Sequence, residues 1–296
     1  MSMLKPVVAI PPDFNKDQDL SITSTIDYLG YLNQDHQITP MTTAGTSLFS
    51  ILSNEEIIKL NVAVAENSSE SIIGIPKLSL RDLGEFVSRI RSQTSASLKF
   101  LIQYPDRFYD NGTLIKYFLE CKNCINDSFY IHVDKIRSAT GGFYEYSDEV
   151  LNTLSENGVL FGLKEEYSSL DHAFTVLKNL NAKLDIIVAG GSMRRFSFLY
   201  QAGANRFLSG IGNIKPEFEA KYLNHVPTPT KEFLHIENKL FTVFFKYGWH
   251  RSLRQALKVL GHTCLHNRLP WPIVDNSFEE AIHKAVTTLL EDIERL

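Results

Sequence analysis

Three groups of residues have the types and placement to carry chemistry: Lys164, which closes the apolar run Val159-Leu-Phe-Gly-Leu-Lys164, Tyr130 within Phe129-Tyr-Ile-His-Val133, and the short turn Ala44-Gly-Thr-Ser47. A lysine attacks a ketone only as the neutral amine, and burial among apolar residues favours that form by making the ammonium costly. A phenol nearby can hand protons to and from the carbinolamine that results. The amides and hydroxyls of Gly45, Thr46 and Ser47 suit a carboxylate, since several donors can converge there without long side chains in the way. Nucleophile, proton carrier and anion cradle are the parts needed to form an imine with a keto acid. Singly, each has a plain structural reading. A lysine before Glu165-Glu166 can be a solvated strand end, a strand tyrosine usually belongs to the core, and Gly-Thr-Ser is often only a turn. His132 reads equally as a polar contact to substrate or as a satisfied strand histidine. The order of these groups along successive strands is what joins them.

The elements that must position them form a repeating pattern. Short apolar runs stand at Val7 to Ile10, Ser71 to Ile75, Leu98 to Gln103, Ser128 to Val133, Val159 to Leu163, Asp185 to Ala189 and Arg206 to Ile211, with helical stretches between them. Such alternation predicts a parallel sheet. Leu83, Phe86, Val87 and Ile90 fall at helical spacing behind Ser79, an N-cap with Asp82 three residues on. Ser53 with Glu56 opens another helix, Ser147 a third, and Gly158 sits where a C-cap belongs. A further strand, without a clean apolar run, is expected near Gln37 to Met41. Eight strands before about residue 215 fit closure into a (β/α)8 TIM barrel, whose active groups stand at the carboxyl ends of the strands. An open doubly wound sheet would more often carry a glycine-rich loop after its first strand, where this chain has Ala9-Ile-Pro-Pro-Asp-Phe14. The expected division is a barrel over 1–225 and a C-terminal helical extension over 226–296, with helices around Phe233 to Phe244, Ser252 to Leu260 and Phe278 to Leu296.

Bulk properties narrow the function class. The formal net charge of −4, without a run of Lys and Arg, gives no field for a phosphate backbone, so nucleic acid is not an expected partner. No apolar run reaches the ~20 residues of a membrane span, and Met1 to Asn15 do not read as a signal peptide; a cytoplasmic protein is expected. Three cysteines argue against a disulfide framework. Cys121-Lys-Asn-Cys124 has zinc spacing but no second pair, so buried or half-buried thiols near a helix end are expected, and no metal. His132 with Asp134 alone do not supply the ligand set of a metal-dependent barrel hydrolase.

With these residues in view, the sequence resembles the dihydrodipicolinate synthase and N-acetylneuraminate lyase family of class I aldolases, over nearly the whole chain. Met41-Thr-Thr-Ala-Gly-Thr-Ser47 with Leu52-Ser-Asn-Glu55 looks like that family's GTTGE loop and the leucine and acidic residue after it, Tyr104-Pro105 with Phe108-Tyr109 is similar to its Pro-Tyr-Tyr segment, and Gly162-Leu-Lys-Glu165 matches its GIKE lysine motif. Tyr130 falls on the strand-five tyrosine. Ala189-Gly-Gly191 and Phe207-Leu-Ser-Gly-Ile-Gly-Asn213 look like the last two strand ends, and Arg268-Leu-Pro270 resembles a motif of the C-terminal helical region.

The resemblance implies a pyruvate-type Schiff base on Lys164, Tyr130 as proton shuttle, and Thr46 with Ser47 as carboxylate binders; Gly45, Gly190, Ser209 and Arg137 are expected as further substrate contacts. It also implies a small-molecule keto acid as partner, no organic cofactor, because the iminium is itself the electron sink, and a homo-oligomer, dimer or tetramer. Departures bear on specificity. Gly45 stands where the family has its first threonine and Leu48 where it has glutamate, the tyrosine segment reads Pro105-Asp106-Arg107, and Ile131-His-Val-Asp-Lys-Ile-Arg137 replaces Asn-Val-Pro-Ser-Arg, leaving Lys135 or Arg137 to meet a second carboxylate. The expected activity is carbon–carbon bond cleavage or formation on pyruvate or a 2-keto acid. The alternatives are 4-hydroxy-tetrahydrodipicolinate synthase, a 2-keto-3-deoxy sugar acid dehydratase, or an inactive keto-acid-binding barrel.

Overall fold

The computed structural model describes residues 4–34, 38–103, 105, 107–108, 110–134, 136–138, 143–190, 192–208, 210–271 and 275–296, with backbone alone for 107–108 and 136–138. Eight parallel strands close on themselves in chain order: β1 (Pro6–Ala9), β2 (Thr39–Met41), β3 (Ser71–Ile75), β4 (Leu98–Ile102), β5 (Phe129–Val133), β6 (Leu160–Glu165), β7 (Asp185–Val188) and β8 (Arg206–Leu208), which pairs back to β1. Helices α1 (Ile22–Asn33), α2 (Asn54–Glu66), α3 (Leu80–Arg91), α4 (Asn111–Ile125), α5 (Asp148–Glu156), α6 (Leu170–Lys178), α7 (Met193–Tyr200) and α8 (Pro216–Leu223) alternate with them. The chain is a (β/α)8 TIM barrel, and α9 (Lys231–Tyr247), α10 (Trp249–Val259) and α11 (Asn276–Glu294) come after it as a C-terminal helical region.

Local chemistry accounts for these elements. Ser53 and Glu56 form a reciprocal capping box at the start of α2, and the hydroxyls of Ser79 and Ser147 accept the Asp82 and Val150 amides at the starts of α3 and α5. Gly158 adopts φ +64° after α5, a left-handed conformation that favours glycine. Leu83, Phe86, Val87 and Ile90 of α3 are buried against the sheet, each contributing about 1.5–3 kcal/mol of transfer free energy. The second strand is only three residues long and contains Pro40, so it leaves no apolar run in the sequence. Cys121 is buried and Cys124 half-buried on α4, both as free thiols. No helix among the described residues is long and apolar enough to cross a membrane.

Between β5 and α5 the chain makes Ile136–Ser138 and Phe143–Tyr144, which join Arg107–Phe108 from the loop after β4 in a small three-stranded sheet. The barrel interior is layered. At the amino-terminal end, Arg206 pairs with Asp185 and Glu70 and donates to Thr39. Above lies an apolar layer of Val7, Met41, Ile72, Tyr130 and Ile187. The carboxyl ends of the strands open above that layer into a cavity.

Polar joints pin the C-terminal region to the barrel, among them Arg254 of α10, which donates to the Pro12 carbonyl at 2.7 Å. Arg268 pairs with Glu56 and donates to the carbonyls of Gln18 and Ile51. Glu237 of α9 accepts the Met193 amide at the start of α7 with both carboxylate oxygens, at 2.7 and 3.0 Å.

Candidate active site

Strand register decides which side chains meet. Lys164 lies opposite His132, and two residues earlier Gly162 lies opposite Tyr130. Side chains alternate across a strand, so Tyr130, His132, Gly162 and Lys164 all face the barrel interior, in two levels. The upper level reaches the cavity of about 300 Å³ at the carboxyl ends of the strands, which Lys164, His132 and Glu166 line. Lys164 Nζ is 2.5 Å from Glu166 Oε2 and 3.0 Å from His132 Nε2, and Glu166 Oε2 is 2.6 Å from His132 Nε2. Lys164 is only 6% exposed, so amine, imidazole and carboxylate meet largely out of water.

The turn after β6 holds this trio. Glu165 points out of the barrel into the helical layer, fully buried, where Arg195 pairs with it and the Tyr167 amide donates to it. Glu166, next in the chain, therefore points inward, with its amide donating to the Val133 carbonyl. The Gly190 backbone, at φ +65°, lies directly against the Glu166 carboxyl and leaves no room for a β-carbon. Burial opposes charge on Glu166, yet Lys164 and His132 together hold its carboxyl well below the usual range. His132 is lowered from its usual value by burial first and by the Lys164 charge second. A neutral imidazole is an acceptor at Nε2 or at Nδ1 according to tautomer. Moving one proton from Nζ to Nε2 exchanges ammonium and imidazole for amine and imidazolium without moving a heavy atom.

Across the cavity, residues 43–48 form a tight turn closed by Ser47 N to Thr43 O and Leu48 N to Gly45 O. Ser47, fully buried, donates its hydroxyl to the Ile10 carbonyl and accepts the Thr43 amide. Thr42, Asn61 and Gly74 hydrogen-bond one another beneath the turn. Gly74 is required there, since a β-carbon would stand 2.5 Å from the Thr42 carbonyl oxygen. Among the described residues, the amides of Ala44, Gly45 and Thr46 make no hydrogen bond, and all three residues line the cavity. Such a group of open amides binds an anion.

Several expectations need correction. Tyr130 does not line the cavity. Its hydroxyl donates to Asp185 Oδ2 at 2.7 Å, and Asp185 begins β7 at the level of Gly162, toward the amino-terminal end. Burial, with the Asp185 carboxylate beside it, pushes the phenol well above the ordinary tyrosine range. It is a core residue and is not placed to shuttle protons to Lys164. Ser47 braces the turn and does not face the cavity. Gly45, Thr46 and Gly190 do line it. Arg137 belongs by its backbone to the small three-stranded sheet, and its side chain, like Ser209 and Lys135, lies outside the described residues. So do Tyr104, Asp106, Tyr109 and Gly191 from the motifs.

His132 holds a more central place than its strand position suggests, and neither Glu166 nor the residues from the helical extension stand out in the sequence as members of the site. His250, at the start of α10, sits against Gly45, where a β-carbon would stand 2.7 Å from its Nε2. Burial lowers its pKa, with Lys164 adding to and Glu166 opposing the shift. Phe241, Phe245, Trp249 and Leu253 complete the wall. His132, Asp134 and Glu166 also offer donor atoms within 4.8 Å of one another, a set that could hold a cation. Lys164 already places its amine against two of those three groups, and a metal ion would have to displace it.

Known proteins share this architecture. No family model matches the sequence, and no curated protein matches it. Among solved structures, dihydrodipicolinate synthase from Bacillus clausii superposes with a TM-score of 0.80 at 17% identity, covering 97% of this chain and 98% of its own. Sialic acid aldolase from Ruminococcus gnavus gives 0.81 at 14% identity, over 100% and 99%. A prophage protein of the dihydrodipicolinic acid synthase family from E. coli K12, in complex with pyruvate, gives 0.82 at 12% identity, over 98% and 99%. At these identities the likeness is one of fold.

Proposed function

We propose that the chain is a Schiff-base lyase or aldolase in which Lys164 condenses with the C2 ketone of pyruvate or a related 2-keto acid. The observation that carries this reading is the buried Lys164 amine in hydrogen-bond contact with His132 and Glu166, on the floor of a cavity whose far side presents the open amides of Ala44, Gly45 and Thr46. Those amides take the substrate carboxylate. His132 accepts the proton that frees the amine, and Glu166 holds the resulting imidazolium by charge. Attack on C2 gives a carbinolamine, its hydroxyl leaves as water, and the iminium then draws electrons from the C3–H or C3–C4 bond. His132 takes the place expected of Tyr130.

Borohydride reduction tests this directly. With pyruvate present, the protein should gain the mass of one reduced pyruvyl adduct on Lys164, and Lys164→Ala should gain none. Failure of the wild-type chain to form an adduct with any 2-keto acid would remove the reading and leave a binding barrel. The synthase and dehydratase variants of the same imine chemistry differ in the second reactant, so product analysis separates them.

A further inference from the structure

We infer that the second reactant is an aldehyde with a flat apolar body, and that the wall built by α9 and α10 is its subsite. This rests on the Schiff-base reading above and goes beyond it to the partner. The cavity is chemically divided. Apart from Asn213 and His250, its polar side chains among the described residues, Thr43, Thr46, Gln103, His132, Lys164 and Glu166, come from the loop after β2 and from the ends of β4, β5 and β6. The described residues facing it from the ends of β7 and β8 are small or apolar, Ala189, Gly190, Leu208 and Gly210, together with Asn213. Asn213 is spoken for, since its side-chain amide donates to the Ala9 carbonyl and to the Tyr28 hydroxyl.

The C-terminal region faces this bare side with Phe241, Phe245, Trp249 and Leu253. Trp249 is held in a seat that only glycine permits, because a β-carbon on Gly210 would overlap the indole ring. Phe241 packs edge-on against it at 5.0 Å, and Phe245 lies at 5.5 Å, tilted by 34°. Phe245 is nonetheless 59% exposed, a large apolar ring left uncovered at the rim of a cavity. An aromatic aldehyde laid beside Phe245 and Trp249 removes that surface from water and brings its carbonyl toward Lys164 and His132. A polyhydroxylated aldehyde would instead lose hydration to a wall whose polar groups, among the described residues, are the His250 ring and the indole N–H of Trp249, and each unmatched hydroxyl carries a penalty.

Atoms and protons balance through the whole sequence. Lys164 and pyruvate lose water to give the iminium, and transfer of a C3 proton to His132 gives the enamine and an imidazolium. Its C3 forms a bond to the aldehyde carbon, whose oxygen takes a proton from the His132 imidazolium. Water then hydrolyses the new iminium, releasing a 4-hydroxy-2-keto acid and restoring the amine. The reverse sequence cleaves the same acid.

The test uses the full-length protein with pyruvate and either benzaldehyde or glyceraldehyde, monitoring the 4-hydroxy-2-keto acid product, beside a borohydride trap with pyruvate alone. Expected is a kcat/KM for benzaldehyde about tenfold or more above that for glyceraldehyde, with most of the difference lost in Phe245→Ser, at a position 59% exposed, and in Trp249→Ala. Three results overturn the inference while leaving the imine chemistry standing. They are equal or better use of glyceraldehyde, a benzaldehyde preference that Phe245→Ser leaves intact, and an adduct at Lys164 without turnover of either aldehyde. Absence of the adduct removes the imine chemistry and this subsite with it.

Discussion

A single ring nitrogen, Nε2 of His132, touches both the amine of Lys164 and the carboxylate of Glu166, so proton position and charge at this site are one variable. Two substitutions separate the candidates for proton transfer. His132→Asn should lower kcat by about 10²–10⁴ while pyruvate still forms a borohydride-trapped adduct on Lys164. Because burial and the Lys164 charge lower His132 from its usual value, the imidazole stays neutral at pH 7, and the rate should fall on the acid side as it protonates. That acid limb should vanish in His132→Asn. Tyr130→Phe should leave kcat within about twofold and cost about 1 kcal/mol of stability through the lost bond to Asp185, as read by urea unfolding. The position of Lys164 at the cavity was legible in the sequence because it closes an apolar run, and that of Gly45 with Thr46 because of the turn they make. The tyrosine misled because a side-chain period of two puts both Tyr130 and His132 inside the barrel, and sequence alone does not say which of the two levels Lys164 joins. Register settles it, and register depends on all eight strands closing.

Among the elements, the joint between α9 and α7 has a pH dependence of its own. Burial raises Glu237 from its ordinary value of 4.5 to about 8, even though the Met193 amide pulls the other way. A carboxyl whose folded-state pKa is raised contributes its stability in full below about pH 4.5, and that contribution is lost as pH rises through about 8. Glu237→Gln should therefore show a smaller drop in Tm between pH 5 and pH 8 than the wild type, measured by scanning calorimetry at both values. An equal drop would mean that another group governs the transition. Seven of the strands were legible because each is a buried apolar run of a parallel sheet, and the capped helices because Ser53, Ser79 and Ser147 mark their starts. The small sheet from Arg107–Phe108, Ile136–Ser138 and Phe143–Tyr144 was not, since strands of two or three residues have no periodicity to read.

At the scale of the molecule, the C-terminal helices are part of the site, because α9 and α10 supply the wall that the barrel lacks. No sequence pattern revealed this. Phe241 reads only as part of an apolar helical stretch, Phe245 and Trp249 fall between the expected helices, and the Gly210 that faces Trp249 is contributed by a distant loop. Arg268 holds the region down through Glu56, Gln18 and Ile51. Arg268→Ala should lower unfolding stability by about 2 kcal/mol and raise the pyruvate concentration needed for half-maximal adduct formation, whereas a purely peripheral tail would change the first and not the second. The far end of the barrel is closed by Arg206, Asp185, Glu70 and Thr39 under an apolar layer. A vessel stoppered at the base fills and empties from the top. On the proposed chemistry, the keto acid must enter before the aldehyde that lies above it when the two are joined, and when the joined acid is cleaved the aldehyde must leave before the keto acid, so traffic through the enzyme is a stack in which the deepest guest is first in and last out.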